Sequence, residues 1–583
     1  MRPSKAVKPA HIGPFAYTFC VIQPARSLLL CLILGSIGGC GLGVMPPQKV
    51  ELPDRLRAFP TTGLALHDRA AIYWSDEQIP YIHAANPDDV PYLLGLVHAH
   101  LRRGQMEMLR MLAQGRLSEM FGPVTLSIDH TLRILDVGKA APRILAEMPP
   151  STRRWLDRYV EGINAYIASG APRSADLAVL NVRDDPWTAE DVIRVGRAAA
   201  ADINWFMVYN HLRLRADPRW ELAWKRLLET SAGAIPSIDP ANPAAFGLLA
   251  GVARSGSNSF AVASSRTNTG SALIASDPHI GLFLPNLWCI VAWRSPHGAA
   301  LGFTMPGVPA ILVGRNERIG WGGTNMLAIS STFYDLNKAR ALDITTRTQT
   351  LRSRWWLPRD ITIRDTALGP VISDSPLLKE LKTPPLALRW RGHDPSDELT
   401  AFLRIAAAAD WKQFRDAFET YAVSGQNFLY ADVEGNVGQV MAGELPPAAG
   451  RAMLGLLGDS ENPLHQWTEF RRTADLPSVY NPARGFVASA NNLPARTDPP
   501  VSVMGNANDR IGRIIDLLSR SLLFSVEQAM EVQRDVYSAS SHAAADALFK
   551  AYAANPAAVS HQPNERNLLT HIARWDGRYL AGS

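Results

Sequence analysis

The chain has 583 residues, 47% of them hydrophobic, and its 59 basic and 54 acidic side chains give a formal net charge of +5. That length and apolar fraction suit a globular protein with room for more than one core. The charges are mixed and no Lys/Arg run occurs, which excludes the electrostatic footprint of a nucleic-acid binder.

Residues 1–40 read as an export leader. Arg26 precedes the apolar run Leu28–Leu34, and Ile37-Gly-Gly-Cys40 follows it. The run is too short for a stable membrane span. Ile-Gly-Gly-Cys resembles a bacterial lipobox, which predicts lipidation at Cys40 and an exported, periplasmic protein that meets the membrane only through that anchor. A plain secretory signal is the alternative. Removal of the leader leaves Cys289 as the one unmodified cysteine, so no intramolecular disulfide is expected. Its setting, Leu287-Trp-Cys-Ile-Val-Ala-Trp293, marks a small buried hydrophobe.

Residues 41–230 read as a mostly helical region. Residues 71–74 and 79–83 have the pattern of short strands. Asn86-Pro-Asp-Asp89 then signals a helix start, with Asn86 as N-cap, Pro87 at the first position and acids at the positive end of the dipole. Apolar residues recur at helical spacing from Leu93 to Leu112, up to Gly115. His98 and His100 are two apart, face different ways and read as packing histidines with their hydrogen bonds satisfied, not metal ligands. No His-Glu-x-x-His or Cys-x-x-Cys pair occurs, which speaks against a zinc enzyme. Residues 191–215 read as a second long helix bearing Trp205 and Phe206. Between 231 and 256 the composition turns to Ala, Gly, Pro and Ser, as in an exposed spacer.

Ser257 stands where that loose segment meets a strand. Phe260 and Val262 alternate with Ala261 and Ala263, giving one large and one small face. Gly-Ser-Asn is also an ordinary turn tripeptide. Cleavage of the Gly256–Ser257 bond would nonetheless give Ser257 both a hydroxyl nucleophile and an α-amine titrating near ~8, which is able to take the hydroxyl proton. Beyond it the chain is strand-rich to about Gly323. Residues 428–440 read as a hairpin around Glu434-Gly-Asn436. From Ile511 the pattern is helical, with Ser525 and Gln528 at capping-box spacing.

The blocks Asp277-Pro-His-Ile-Gly281, Met305-Pro-Gly-Val-Pro309, Gly320-Trp-Gly-Gly-Thr-Asn325, Gln426-Asn-Phe-Leu-Tyr-Ala-Asp432 and Ala488-Ser-Ala-Asn-Asn-Leu-Pro494 follow in order. Upstream stand Gly95-Leu-Val-His-Ala99, Gln105-Met-Glu107 and Gly115-Arg-Leu-Ser-Glu119. Together they resemble the penicillin acylase (penicillin amidase) family of N-terminal-nucleophile hydrolases, from about Tyr73 to Asp576. The resemblance implies an α+β, four-layer αββα sandwich built from two chains of one precursor. A small subunit (41–230) and a large one (257–583) would remain as a heterodimer after loss of the 231–256 spacer.

Carried over by position, Ser257 is the nucleophile and its amine the base. Asn491 supplies a side-chain amide to the oxyanion, and Asn325 supplies its backbone N–H. His279 packs beside the nucleophile, Arg510 orients Asn491 and the amine, and Trp205 and Phe206 line an acyl pocket, with core packing as the alternative. The implied substrate is a small linear acyl amide, such as a β-lactam side chain or an N-acyl homoserine lactone. Where calcium-binding relatives carry carboxylates, this chain has Ile329, Thr332 and Asn210, so neither a structural calcium at that site nor another cofactor is expected. The family usually continues past Trp575-Asp-Gly577, so the chain reads as short at its C-terminus. That shortness and the lost carboxylates support a competing reading, an unprocessed, non-catalytic lipoprotein remnant.

Overall fold

The computed structural model describes residues 51–171, 175–202, 204–215, 217–232, 256–279, 285–340, 342–379, 383–493, 495–503, 508–554 and 563–580. The leader with Cys40 and most of the expected spacer lie outside them. Every element below belongs to one unit, Val50–Gly281 with Leu287–Ser583.

The strands are β1 (Ala70–Trp74), β2 (Pro80–Ala84), β3 (Gly256–Val262), β4 (Leu273–His279), β5 (Cys289–Ser295), β6 (Gly298–Met305), β7 (Val308–Asn316), β8 (Ile319–Asn325), β9 (Ser331–Asp335), β10 (Thr345–Ser353), β11 (Trp356–Thr366), β12 (Gly369–Pro370), β13 (Leu386–Trp390), β14 (Gln426–Asp432), β15 (Val437–Ala442), β16 (Ser478–Tyr480) and β17 (Phe486–Ser489). Nine of them form one sheet in the order β1-β2-β5-β6-β7-β8-β14-β15-β16, and β17-β3-β4 form a second. Smaller sheets, β10-β11-β12 and β13-β9, stand apart.

The alternation at Ser257–Ala263 shows how these layers stack. Phe260 and Val262 point away from the large sheet and pack with Ile511, Ile514 and Leu518 of α6 (Asn508–Ser519) and Ala529 of α7 (Val526–Arg534). Ala261 and Ala263 point the other way and meet Leu429, Ala431, Val437 and Val487 between the sheets. The far face of the large sheet is covered by α1 (Asp89–Gln114), α2 (Pro150–Ala168), α3 (Ala189–Ala199) and α5 (Glu398–Ala407), whose buried apolar residues share one core with Val291, Ile311 and Tyr430. The order is helix, sheet, sheet, helix. Small side chains let the two sheets approach; large ones fill the helical interfaces, each worth about 1.5–3 kcal/mol when buried.

The glycines of the Trp-Gly-Gly block have the same cause. A Cβ on Gly322 would stand 2.5 Å from Ser276 of the facing sheet, and one on Gly323 would stand 2.0 Å from the Asn427 carbonyl. Both sites require hydrogen for packing.

The first helix is regular from Asp89, and Asn86 caps its entry as expected, its Oδ1 accepting from the Asp88 N–H (2.9 Å). Asp89 turns inward, accepting from the His67 and Asp68 amides and from Arg158. Two local expectations are corrected. The expected single helix over 191–215 is two, α3 and α4 (Asn204–Leu214), because the buried Asp202 carboxylate captures the Asn204 N–H and the Ser330 and Ser331 hydroxyls at the break. His100 has no hydrogen-bond partner and stands among the edges of Phe59, Trp74 and Tyr166.

Other readings match the fold. Gly115 ends α1 in the left-handed region at φ 60°. Ser525 and Gln528 form a reciprocal capping box on α7. Cys289 is buried and free, and burial pushes its thiol pKa up. His98 is fully enclosed by Tyr159 (2.7 Å) and Thr304 (2.9 Å), and burial lowers its pKa to about 3. Thr304 donates onward to the Cys289 carbonyl, so its oxygen accepts from His98 Nε2–H. His98 is therefore a neutral, satisfied core residue.

Candidate active site

Ser257 is the second residue of β3, at the half-buried end where the strand leaves the sandwich. Three elements converge on it. β17 pairs with β3 up to Ser489↔Ser259, and the chain then turns so that Asn491 faces the serine. β8 ends at Asn325, and α6 opens with Asn508-Asp-Arg510. Asp509 anchors that helix start by accepting from Ser538 and from the Ser540 N–H and hydroxyl.

The geometry at the junction is close. The Ser257 N–H donates to Asn491 Oδ1 at 2.6 Å. Arg510 donates from Nη2 to the same oxygen (3.1 Å) and from Nη1 to the Ser257 carbonyl and Asn258 Oδ1 (both 2.9 Å). Asn491 Nδ2 donates to the Asn325 carbonyl at 2.7 Å. Both faces of the asparagine amide are thereby fixed, and one Nδ2 hydrogen remains for another acceptor. Asn491 adopts φ 63°, a left-handed conformation that asparagine tolerates better than most residues. Burial lowers the Arg510 pKa, Asp509 opposes the shift, and a guanidinium stays charged regardless.

Gly256 is hemmed in by the same groups. A Cβ there would lie 2.6 Å from both Arg510 Nη2 and Asn491 Oδ1. No other residue fits before Ser257 without moving them.

Behind Asn491 runs a buried polar relay that the sequence reading missed. Gln439 Nε2 donates to Asn427 Oδ1 (3.4 Å), and Asn427 Nδ2 donates to Ser489 Oγ (3.1 Å). Ser489 pairs with Thr324 Oγ1 (2.8 Å), which accepts from the Asn491 N–H (3.4 Å). Thr324, Asn427, Gln439 and Ser489 are all at most 1% exposed. The signal was available: Ser489 is two residues before Asn491 on a strand, and Thr324 directly precedes Asn325.

Of the remaining expected site residues, His279 and Trp205 take other side-chain partners. His279 is the cross-strand partner of Gly256, but its ring turns to Asp277, on the same face of β4, with Nε2 2.7 Å from Oδ2. Trp205 donates from Nε1 to Ser331 (2.8 Å) and packs edge-on against the buried Trp390. That is packing of the core around α4. The Phe206 side chain lies outside the described residues. Ile329 is buried, Thr332 accepts from Trp467 Nε1 (3.0 Å), and Asn210 is exposed on α4. Among the described residues no group of three or more His, Cys, Asp or Glu is placed to hold a metal.

A model of the penicillin amidase family matches residues 69–583, and the chain belongs to that family of N-terminal-nucleophile hydrolases. Its relatives include a penicillin acylase 2 proenzyme of Pseudomonas sp. strain SE83, 28% identical over 541 residues (87% of this chain, 68% of the relative). An acyl-homoserine lactone acylase, QuiP, of Pseudomonas aeruginosa is 26% identical over 553 residues (86% and 64%). Penicillin G acylase of Escherichia coli is 22% identical over 585 residues (86% and 68%). The chain thus spans 64–68% of the length of these three relatives. Among solved structures, a thermostable penicillin G acylase from Alcaligenes faecalis aligns over 55% of this chain and 59% of its own, with 24% identity and a TM-score of 0.43.

Proposed function

We propose that the protein is an amide-hydrolysing acylase that cuts its own Gly256–Ser257 bond and then uses Ser257 as an N-terminal nucleophile. The observation that carries this reading is the convergence on Ser257 of Asn491, which accepts from its nitrogen, and of Arg510, which donates to its carbonyl and to Asn491, beside a glycine that nothing larger replaces without moving them. In the maturation step Ser257 Oγ attacks the Gly256 carbonyl, and the amide nitrogen leaves as the Ser257 amine, taking up the hydroxyl proton. Water then hydrolyses the ester, leaving a Gly256 carboxylate and a free hydroxyl.

In turnover the amine accepts the Ser257 proton through a water, and Oγ attacks the substrate carbonyl. The free Asn491 Nδ2 hydrogen and the Asn325 N–H receive the oxyanion, each such donor worth ~3–4 kcal/mol in the transition state. The amine protonates the leaving nitrogen, and water releases the acid. The nearby Arg510 cation opposes protonation of the amine, keeping it available as a base near neutrality. The scheme uses no cofactor, and we place no calcium beside Ile329.

The substrate class follows from the relatives' names: a linear N-acyl amide, either the acyl side chain of a penicillin or an N-acyl homoserine lactone. A leader and lipid anchor at Cys40 and a periplasmic location complete the reading. The test is a denaturing gel with N-terminal sequencing, alongside amidase assays on phenylacetyl, glutaryl and long-chain acyl amides. Wild type is expected as two fragments, the larger beginning Ser-Asn-Ser-Phe, and Ser257→Ala as one inactive precursor. Activity retained by Ser257→Ala would overturn the assignment.

A further inference from the structure

The β10–β11 hairpin ends in a turn whose chemistry is unlike the rest of the surface. Ser353 pairs with Trp356, so Arg354 and Trp355 form a two-residue loop. Such loops favour Asn or Gly, because the backbone enters the left-handed region. Here Trp355 does so, at φ 64°. Trp355, Trp356 and Leu357 are 73%, 67% and 79% exposed, and every residue from 355 to 360 is exposed. Val124 and Val179 extend the apolar ridge: the Trp355 ring lies against Gly122, and Arg354 reaches the Val179 carbonyl.

Charge decides what this tip fits. From Leu351 to Asp360 there are three arginines and one acid, Asp360, which lies at the base of the turn and accepts from the Thr350 hydroxyl (2.7 Å). In the helical region Glu119 is held by a bidentate Arg116 pair and also feels the charge of Arg352. Arg354 lies over the Trp355 ring, 4.2 Å from its centroid. Paired tryptophans with a leucine between flanking guanidinium groups match the headgroup–acyl boundary of a bilayer, where indoles partition and arginines bind phosphates.

We propose that the 354–357 tip docks the protein on an anionic lipid surface, independently of any lipid anchor. The test uses the full chain with vesicles of phosphatidylcholine, with or without phosphatidylglycerol, whose acyl chains carry bromine to quench inserted tryptophan. Wild type is expected to be quenched on the anionic vesicles and much less on the neutral ones, with the difference falling as salt is raised. W355N/W356T/L357T should lose that quenching even where other parts of the chain keep it on the vesicle. R352Q/R359Q retains both indoles and should weaken anionic-vesicle binding about fivefold per arginine. Equal quenching of wild type and the triple variant would overturn the proposal, as would binding indifferent to phosphatidylglycerol. A triple variant that changes only the sedimentation coefficient would overturn it in favour of contact with a second copy.

Discussion

Along β14 the residues turned toward the second sheet run Asn427, Leu429, Ala431; along β17 they run Ser489, then Val487; along β3, Ser257 and Ser259 give way to Ala261. One end of the space between the sheets is closed by apolar groups alone. The other end, nearest Ser257, is filled by polar groups that are just as buried. Apolar packing is tolerant of small rotations, whereas a hydrogen-bonded relay has few acceptable arrangements, and burying one is costly unless each member is paired. The apolar end holds the sheets together. The polar end fixes the direction in which Asn491 points.

That contrast is open to direct test. Asn491→Ala should process yet lose about 10²–10³ in kcat, measured on the substrate that wild type accepts; near-normal turnover would remove Asn491 from the oxyanion site. At the apolar end, Leu429→Ala should cost about 2–5 kcal/mol in denaturant unfolding while leaving kcat nearly unchanged.

His98 shows what a buried polar group does away from the site. Its folded pKa, about 3, is far below the ordinary imidazole value, so between the two only the unfolded chain binds the proton. Stability from this group is complete above about pH 6.5 and falls as pH drops toward 3, and His98→Asn should flatten that slope in pH-dependent melts.

Asn427→Leu breaks the relay while leaving the Ser489–Thr324 pair. We expect kcat to fall roughly ten- to a hundredfold through misplacement of Asn491, with KM little moved. An equal rise in KM would show that Asn427 merely supports the fold. The smallest effect is expected on the opposite face of the second sheet, where Ser525→Ala should cost about 1 kcal/mol through loss of the α7 cap.

Local signals in the chain carried much of the architecture. Period-two alternation after Ser257 gave both faces of β3, the Ser525–Gln528 spacing gave a real cap, and ordered blocks located Asn325, Asn491 and Arg510 near one serine. What escaped reading depended on tertiary partners. Asp202 breaks a helix because Ser330 and Ser331, far along the chain, supply hydroxyls to its carboxylate. Trp205 read equally as pocket or core, because nothing local announces Trp390 against its edge. His279 follows its neighbour Asp277, a choice that strand alternation permits and spacing does not reveal. The relay was hidden for another reason: serine, threonine and asparagine are ordinary surface residues, and only three-dimensional burial makes them informative.

The nine-stranded sheet has one parallel junction, where Tyr81, Ile82 and His83 of β2 lie beside Ala292, Trp293 and Arg294 of β5. Those strands come from opposite sides of the proposed cut. A severed molecule is consequently woven through its backbone, and the two pieces separate only if the sheet itself opens. Once they have separated, reassembly becomes a second-order search, so refolding yield should drop on dilution for the mature form and stay constant for the Ser257→Ala precursor.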